Sequence, residues 1–225
     1  MGAHGRGDRG WRGDPDPGAR RRQRPVNAPV AANDAAAPAP PGEDDATWSA
    51  RTRAALQAHD AKLARRFDQG EEVDRLVALR ARAVDQALKE AWARCIPTEA
   101  PLALFAVGGY GRGELFPHSD IDLLVLADAD SQLDQHDGLA CFFAMLWDAG
   151  LAASHAVRSP DQCTDAAADQ TVLTALIEWR ALVADEAAQA ALAAAISPQR
   201  VWPPRDFFVA KREELRARHA RFGDT

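Results

Sequence analysis

Large apolar residues first recur at helical spacing. Leu56, Leu63 and Phe67, with alanines between them, fall near one face of a helix that begins around Thr47 and ends at Gly70. Val73, Leu76, Val77, Val84, Leu88 and Trp92 repeat at three- and four-residue steps or their multiples, which predicts a second helix over about 71–95. Glu71 and Glu72 sit at its start, where the helix dipole favours negative charge, and Pro97 and Pro101 close it. The pattern then changes. Leu102–Val107 and Ile121–Ala127 are short apolar runs that end at turn residues, so both read as strands, the second central and buried on both faces. Leu139, Phe142, Phe143, Leu146 and Trp147 mark a helix stopped by Gly150, and Leu151–Arg158 reads as a third strand. Beyond Pro160 the expectation is helical almost throughout: about 160–167, 170–183, 186–196 and a charged helix over 205–221. The fold class is α+β, a small sheet with flanking helices and helical extensions at both ends.

Residues 1–45 have no such pattern. Half of the 14 prolines and 7 of the 15 glycines lie there, and Trp11 is the only large apolar side chain between Met1 and Val26. Such a stretch cannot bury enough surface to offset its ordering entropy, so it reads as a disordered tail outside the fold. Its Arg20, Arg21, Arg22 and Arg24 are read as solvated. The division expected is a tail over 1–45, helices over 46–100, a core over 101–185 and a helical segment over 186–225.

Charge follows the same division. The tail is neutral, and the rest of the 225-residue chain carries the whole net charge of −6. An acidic body argues against electrostatic binding of nucleic acid. No apolar run approaches the roughly 20 residues of a membrane span, and the N-terminus lacks the apolar stretch of a signal peptide. Cys95, Cys141 and Cys163 lie far apart, so neither a zinc site nor a disulfide framework is expected. The expectation is a reduced, cytoplasmic protein with neither membrane nor nucleic acid as partner.

One segment stands apart: Val107-Gly108-Gly109-Tyr110-Gly111-Arg112-Gly113-Glu114-Leu115-Phe116-Pro117-His118-Ser119-Asp120-Ile121-Asp122-Leu123. Four glycines in six positions follow a strand, and glycine lets backbone amides approach a phosphate closely. Asp120 and Asp122 then straddle Ile121 at the entry to the next strand. Alternation puts both carboxylates on one side and Ile121 in the core. Two adjacent carboxylates facing a phosphate-cradling loop are ligands suited to Mg²⁺, and the combination points to nucleotidyl transfer. Arg112 is a candidate phosphate clamp because a guanidinium matches phosphate oxygens in pairs. Ser119 could donate to a phosphate, while Glu114 could support the loop through hydrogen bonds. The segment is not a Walker motif, since no Gly-Lys-Ser/Thr follows. His59-Asp60 and His136-Asp137 read as coincidental, His155 and His219 as structural or exposed, and the Trp and Phe residues of the helices as core.

The segment resembles the signature of the nucleotidyltransferase fold shared with DNA polymerase beta. More narrowly, it resembles the N-terminal domain of the bifunctional PII uridylyltransferase/uridylyl-removing family. Leu146–Leu151, Ser154–Arg158, Thr174–Arg180 and Ala217–Thr225 are similar to that family in order and spacing. The resemblance covers roughly residues 50–225 and implies a small mixed nucleotidyltransferase-type sheet. It also implies transfer of UMP from UTP to a tyrosine of the PII nitrogen-signalling protein, with release of pyrophosphate and Mg²⁺ as cofactor. Carried over by position, Gly108 and Gly109 would cradle phosphate, with Arg112 and Ser119 beside them, and Asp120 and Asp122 would be the catalytic metal ligands. Enzymes of this fold usually add a third carboxylate from a later strand. Leu151–Arg158 offers none, which leaves Glu178 as a weak candidate against a helix-surface or salt-bridge role. The family continues into an HD hydrolase domain and two ACT domains that this sequence does not contain. The alternatives are a non-catalytic nucleotide- or protein-binding module left by truncation, or a related enzyme using ATP.

Overall fold

The computed structural model describes residues 42–223. The elements in chain order are α1 (Asp45–Asp68), α2 (Val73–Cys95), β1 (Ala103–Ala106), α3 (Gly108–Gly111), β2 (Ile121–Leu126), α4 (Ala129–Asp134), α5 (His136–Asp148), β3 (Ala153–Arg158), α6 (Pro160–Ala166), α7 (Gln170–Ile177), β4 (Arg180–Val183), α8 (Glu186–Ala195) and α9 (Pro204–Phe222). Local chemistry sets several helix starts. Asp44, Asp128, Asp169 and Asp185 each accept a backbone N–H of the first turn, and Ser159 with Gln162 forms a reciprocal capping box before Pro160.

The four strands form one mixed sheet in the order β3-β2-β1-β4. β1 runs antiparallel to both β2 and β4, whereas β2 and β3 are parallel. The interior position of β2 explains its apolar run: every residue is buried except Asp122. Alternation divides its side chains between two cores. Ile121, Leu123 and Val125 pack with Leu104, Val84, Leu88, Trp92, Phe142 and Trp48 under α1, α2 and α5. Leu124 and Leu126 pack with Phe105, Cys163, Leu173, Leu176 and Leu192 under α6, α7 and α8. Each fully buried Leu or Phe contributes about 1.5–3 kcal/mol relative to exposure. The sheet thus lies between two helical layers, with β1 and β2 contributing side chains to both cores.

Five expectations change. Residues 180–183 form strand β4 rather than the end of a helix. The glycine segment is a single helical turn, α3, rather than an open loop. The expected tail lies outside the described residues up to Pro41, but its last residues are ordered: Asp44 caps α1 and Arg94 donates to the Glu43 carbonyl at 2.6 Å. Cys95, the last residue of α2, and Cys141, in the middle of α5, form a disulfide with their Cα atoms 5.8 Å apart, where none was expected. Lastly, not every helical aromatic is core: Trp147 is 74% exposed, and Phe67 and Phe208 are exposed as well.

Cys163 behaves as a core residue. Burial pushes its thiol up to about 11, with only slight relief from Arg158. Folded chain treated with iodoacetamide at pH 8 is therefore expected to leave Cys163 unmodified, because under about 1% is thiolate and none is accessible. Mass spectrometry with and without urea checks this. The same shift makes folding stability fall as pH rises from about 9 towards 11, the interval in which only the unfolded thiol ionises.

Candidate active site

The chemistry-bearing segment lies where the end of β1 meets the start of β2. The Val107 N–H donates to the Asp122 carbonyl at 3.0 Å, so the chain leaves β1 directly beside Asp122. Gly108 then turns with φ +59°, and a Cβ placed there would sit 3.2 Å from Asp122 Oδ2. Both the dihedral and the clearance call for glycine. Asp122 Oδ1 accepts a hydrogen bond from the Ser154 hydroxyl, on the β3 residue that pairs with it in register. Asp120 lies one residue before β2 and is exposed, while Ile121 between the two carboxylates is buried in the α2/α5-side core. Ile121 is thus the inward residue of the three, with Asp120 exposed and Asp122 half-buried.

The turn carries its own rim of charge. Arg112 donates through Nε to Glu114 at 3.0 Å and through Nη1 to Glu178 at 2.5 Å. The Glu114 hydrogen bond, and then the charge of Glu178, raise the Arg112 pKa further. The guanidinium is thus engaged by two carboxylates at the edge of the turn, and Nη2 lies 3.6 Å from where a Gly109 Cβ would be. Glu114 and Glu178 thus both form ion pairs with Arg112. Ser119 is exposed, its N–H bonded to the Phe116 carbonyl at 3.1 Å in a turn where His118 adopts φ +67°. His155 faces the other side of the sheet from Ser154, stacked on Phe143 with centroids 3.6 Å apart. Of the two His-Asp pairs, Asp60 binds Arg80 at 3.0 Å and His136 meets its own neighbour Asp137.

Beneath the turn lies a polar cluster that sequence reasoning missed. Asp85 of α2 receives Arg180 of β4 at 2.7 and 3.0 Å, a two-pronged pair, and the Tyr110 hydroxyl at 2.5 Å. Arg180 Nη2 also reaches the Tyr110 carbonyl at 3.3 Å, and the guanidinium carbon lies 5.4 Å from the centre of its ring. Burial, reinforced by the Asp85 charge, pushes the Tyr110 hydroxyl well above its ordinary pKa, so it remains a donor. Burial alone would lower Arg180, but Asp85 more than offsets this and the net shift is upward. Because the pair is largely desolvated, losing one partner would strand the other at a cost of roughly 3–5 kcal/mol. No spacing signal in the sequence joins positions 85, 110 and 180; β4 brings Arg180 in, and β4 was read as helix.

Among the described residues, no group of three or more His, Cys, Asp or Glu side chains is placed to hold a metal ion. What the site offers is two oxygen donors, Asp120 and Asp122. Among the described residues, neither has a Lys or Arg within 4 Å, in contrast to Glu114 and Glu178. That donor set fits a hard divalent cation that completes its shell with water and phosphate oxygens, as Mg²⁺ does.

A sequence profile described as a nucleotidyltransferase domain matches residues 81–154, a span that runs from Ala81 in α2 to Ser154 and holds both aspartates. The chain carries a nucleotidyltransferase domain. The domain and its surroundings are similar to the N-terminal part of bifunctional uridylyltransferase/uridylyl-removing enzymes. Identity is 67% over 188 residues with the enzyme of Xanthomonas oryzae pv. oryzae (strain MAFF 311018), covering 84% of this chain and 22% of the relative. With that of Xanthomonas campestris pv. campestris (strain B100) it is 66% over the same shares. With that of Ectopseudomonas mendocina (strain ymp) it is 46% over 162 residues, 71% of this chain and 18% of the relative. The chain thus spans about a fifth of the length of the curated relatives it matches. The mixed sheet with flanking helices suits the nucleotidyltransferase domain. No helix among the described residues is long and apolar enough to cross a membrane.

Proposed function

We propose that this nucleotidyltransferase domain transfers UMP from UTP to a tyrosine of the PII nitrogen-signalling protein and releases pyrophosphate. The observation that carries the proposal is the left-handed Gly108 turn set against Asp122, with Asp120 two residues upstream and no basic side chain within 4 Å of either carboxylate among the described residues. The choice of uridylyl transfer is supported by the 67% identity with an enzyme so named.

In this reading Asp120 and Asp122 are the metal ligands, and Ser154 fixes the rotamer of Asp122 through its hydroxyl. Bound Mg²⁺ would neutralise triphosphate charge and favour ionisation of the attacking hydroxyl. Gly108 and Gly109 let the triphosphate come close to the backbone, since no side chain stands in the way. Arg112 then exchanges a carboxylate for a phosphate oxygen, and Ser119 offers a hydroxyl beside it. The tyrosine oxygen attacks the α-phosphorus, the bond to the β-phosphate oxygen breaks in line, and the phenolic proton leaves to solvent. The reaction would take place in the cytoplasm.

The test is transfer of labelled UMP from UTP to purified PII protein, with the Asp120→Ala/Asp122→Ala chain as control. Mg²⁺-dependent labelling that disappears in the double variant is the expected result. Bound UTP without any labelling would instead favour a non-catalytic nucleotide-binding module, and labelling from ATP in preference to UTP would change the substrate. Labelling that persists in the double variant would remove the aspartates from the mechanism.

A further inference from the structure

The Asp85–Tyr110–Arg180 cluster touches neither carboxylate of the site, yet its three members come from α2, α3 and β4, and only Tyr110 belongs to the glycine turn. We infer that Arg180 is a positioning residue for nucleotide binding, holding the glycine turn at its working distance from Asp122 with Asp85 as its anchor. This deepens, and rests on, the nucleotidyltransferase reading of the site.

Gly108 clears Asp122 by so little that a methyl group would lie 3.2 Å from the carboxylate, and Gly111, at the other end of the turn, lies against the Glu178 backbone. A turn confined at both ends has one remaining freedom, rotation about its own axis, which would swing Gly109 and Arg112 relative to Asp122. Tyr110 sits between those ends and is 1% exposed. Three contacts fix its rotation: its hydroxyl on Asp85, its carbonyl on Arg180 Nη2, and its ring under the guanidinium. Arg180 makes two of the three and also holds Asp85 in place with both prongs. Only a planar fork can serve Asp85 with two nitrogens and spare a further hydrogen for a carbonyl. A lysine there would keep the charge pair but lose the planar fork that grips carbonyl and ring together.

Arg180→Lys and Tyr110→Phe separate these contributions. The first keeps a cation beside Asp85; the second keeps the buried ring and deletes only the hydroxyl. The measurement is the dissociation constant of Mg·UTP by titration calorimetry on the full chain, well below the melting temperature of each protein, with melting recorded alongside. The expected result is affinity weakened about tenfold in Arg180→Lys and severalfold in Tyr110→Phe, with both chains folded at the titration temperature. A melting shift with unchanged Mg·UTP affinity in both variants would reduce the cluster to a stability device and overturn the inference. If Arg180→Lys does not fold, Tyr110→Phe decides alone by the same criterion. Failure of the unaltered chain to bind Mg·UTP would overturn the nucleotide-site reading itself, and the positioning role with it.

Discussion

Asp122→Asn is expected to reduce UMP transfer by a thousand-fold or more while leaving the melting temperature unchanged or slightly higher. Asparagine keeps the shape and can still accept the Ser154 hydroxyl through its amide oxygen, so the β2–β3 contact survives. The negative charge is what disappears. A thousand-fold loss corresponds to about 4 kcal/mol of transition-state stabilisation, within reach of one ligand to a cation that works on the triphosphate. Stability should move the other way, if at all. Asp120 and Asp122 stand two residues apart, a separation of about 6.6 Å in extended backbone, and among the described residues no Lys or Arg lies within 4 Å of either. Their repulsion in the folded chain is relieved when one charge is removed. Single-turnover transfer together with thermal melts in EDTA and in Mg²⁺ would measure both. Mg²⁺ should raise the melting temperature of the unaltered chain and raise that of the variant less. Equal stabilisation of the two by Mg²⁺ would mean that Asp122 is not a ligand.

The outlines of this site were legible because they are local. Gly108 to Asp122 is one continuous segment, and a strand, a glycine turn, a spacer and a second strand each have a pattern of their own. The predicted burial of Ile121 between two outward carboxylates needed only the two-residue period of a strand, and the fold obeys it. What could not be read is non-local or too short to have a period. β4 is four residues long, Arg180–Val183, and follows α7 with neither Gly nor Pro between, so nothing local marks where the helix stops. Only pairing with β1 makes residues 180–183 a strand, and pairing is invisible along the chain. The Asp85–Tyr110–Arg180 cluster was lost for the same reason, since Arg180 reaches Asp85 only from β4. The Cys95–Cys141 disulfide depends on α2 packing against α5, which spacing alone does not state. Arg112 was identified for its chemistry, but its partner Glu178, 66 residues away, follows from where α7 ends.

Gly111→Ala should be the most damaging single methyl group in the turn, and for a reason separate from catalysis. A Cβ at Gly111 would lie 1.7 Å from the Glu178 carbonyl oxygen, 2.8 Å from its carbon and 3.1 Å from the Ala106 carbonyl oxygen. All three are backbone atoms, and they belong to the two segments that frame the turn. Relief therefore requires α3 to part from the α7–β4 junction, which would pull Arg180 and the Tyr110 carbonyl away from each other. Overpacking of this kind costs about 3 kcal/mol or more, and for a chain of this size that lowers the melting temperature by roughly 6–12 °C. Two neighbours serve as controls. Gly113 has open space around its missing Cβ, and its φ of +75° is its only demand, so Gly113→Ala should cost only about 1–2 kcal/mol of left-handed strain. At Gly109 a methyl would meet only Arg112 Nη2 at 3.6 Å, an ordinary contact. Gly109→Ala should melt close to the unaltered chain yet bind Mg·UTP several-fold more weakly, because its methyl stands where phosphate must approach. Melting curves for the three variants would rank them 111, 113, 109 from most to least destabilised, whereas nucleotide affinity among the folded ones would single out 109. If Gly111→Ala melted like the unaltered chain, the close seat of the turn on Glu178 would be wrong, and with it the path by which Arg180 holds the turn.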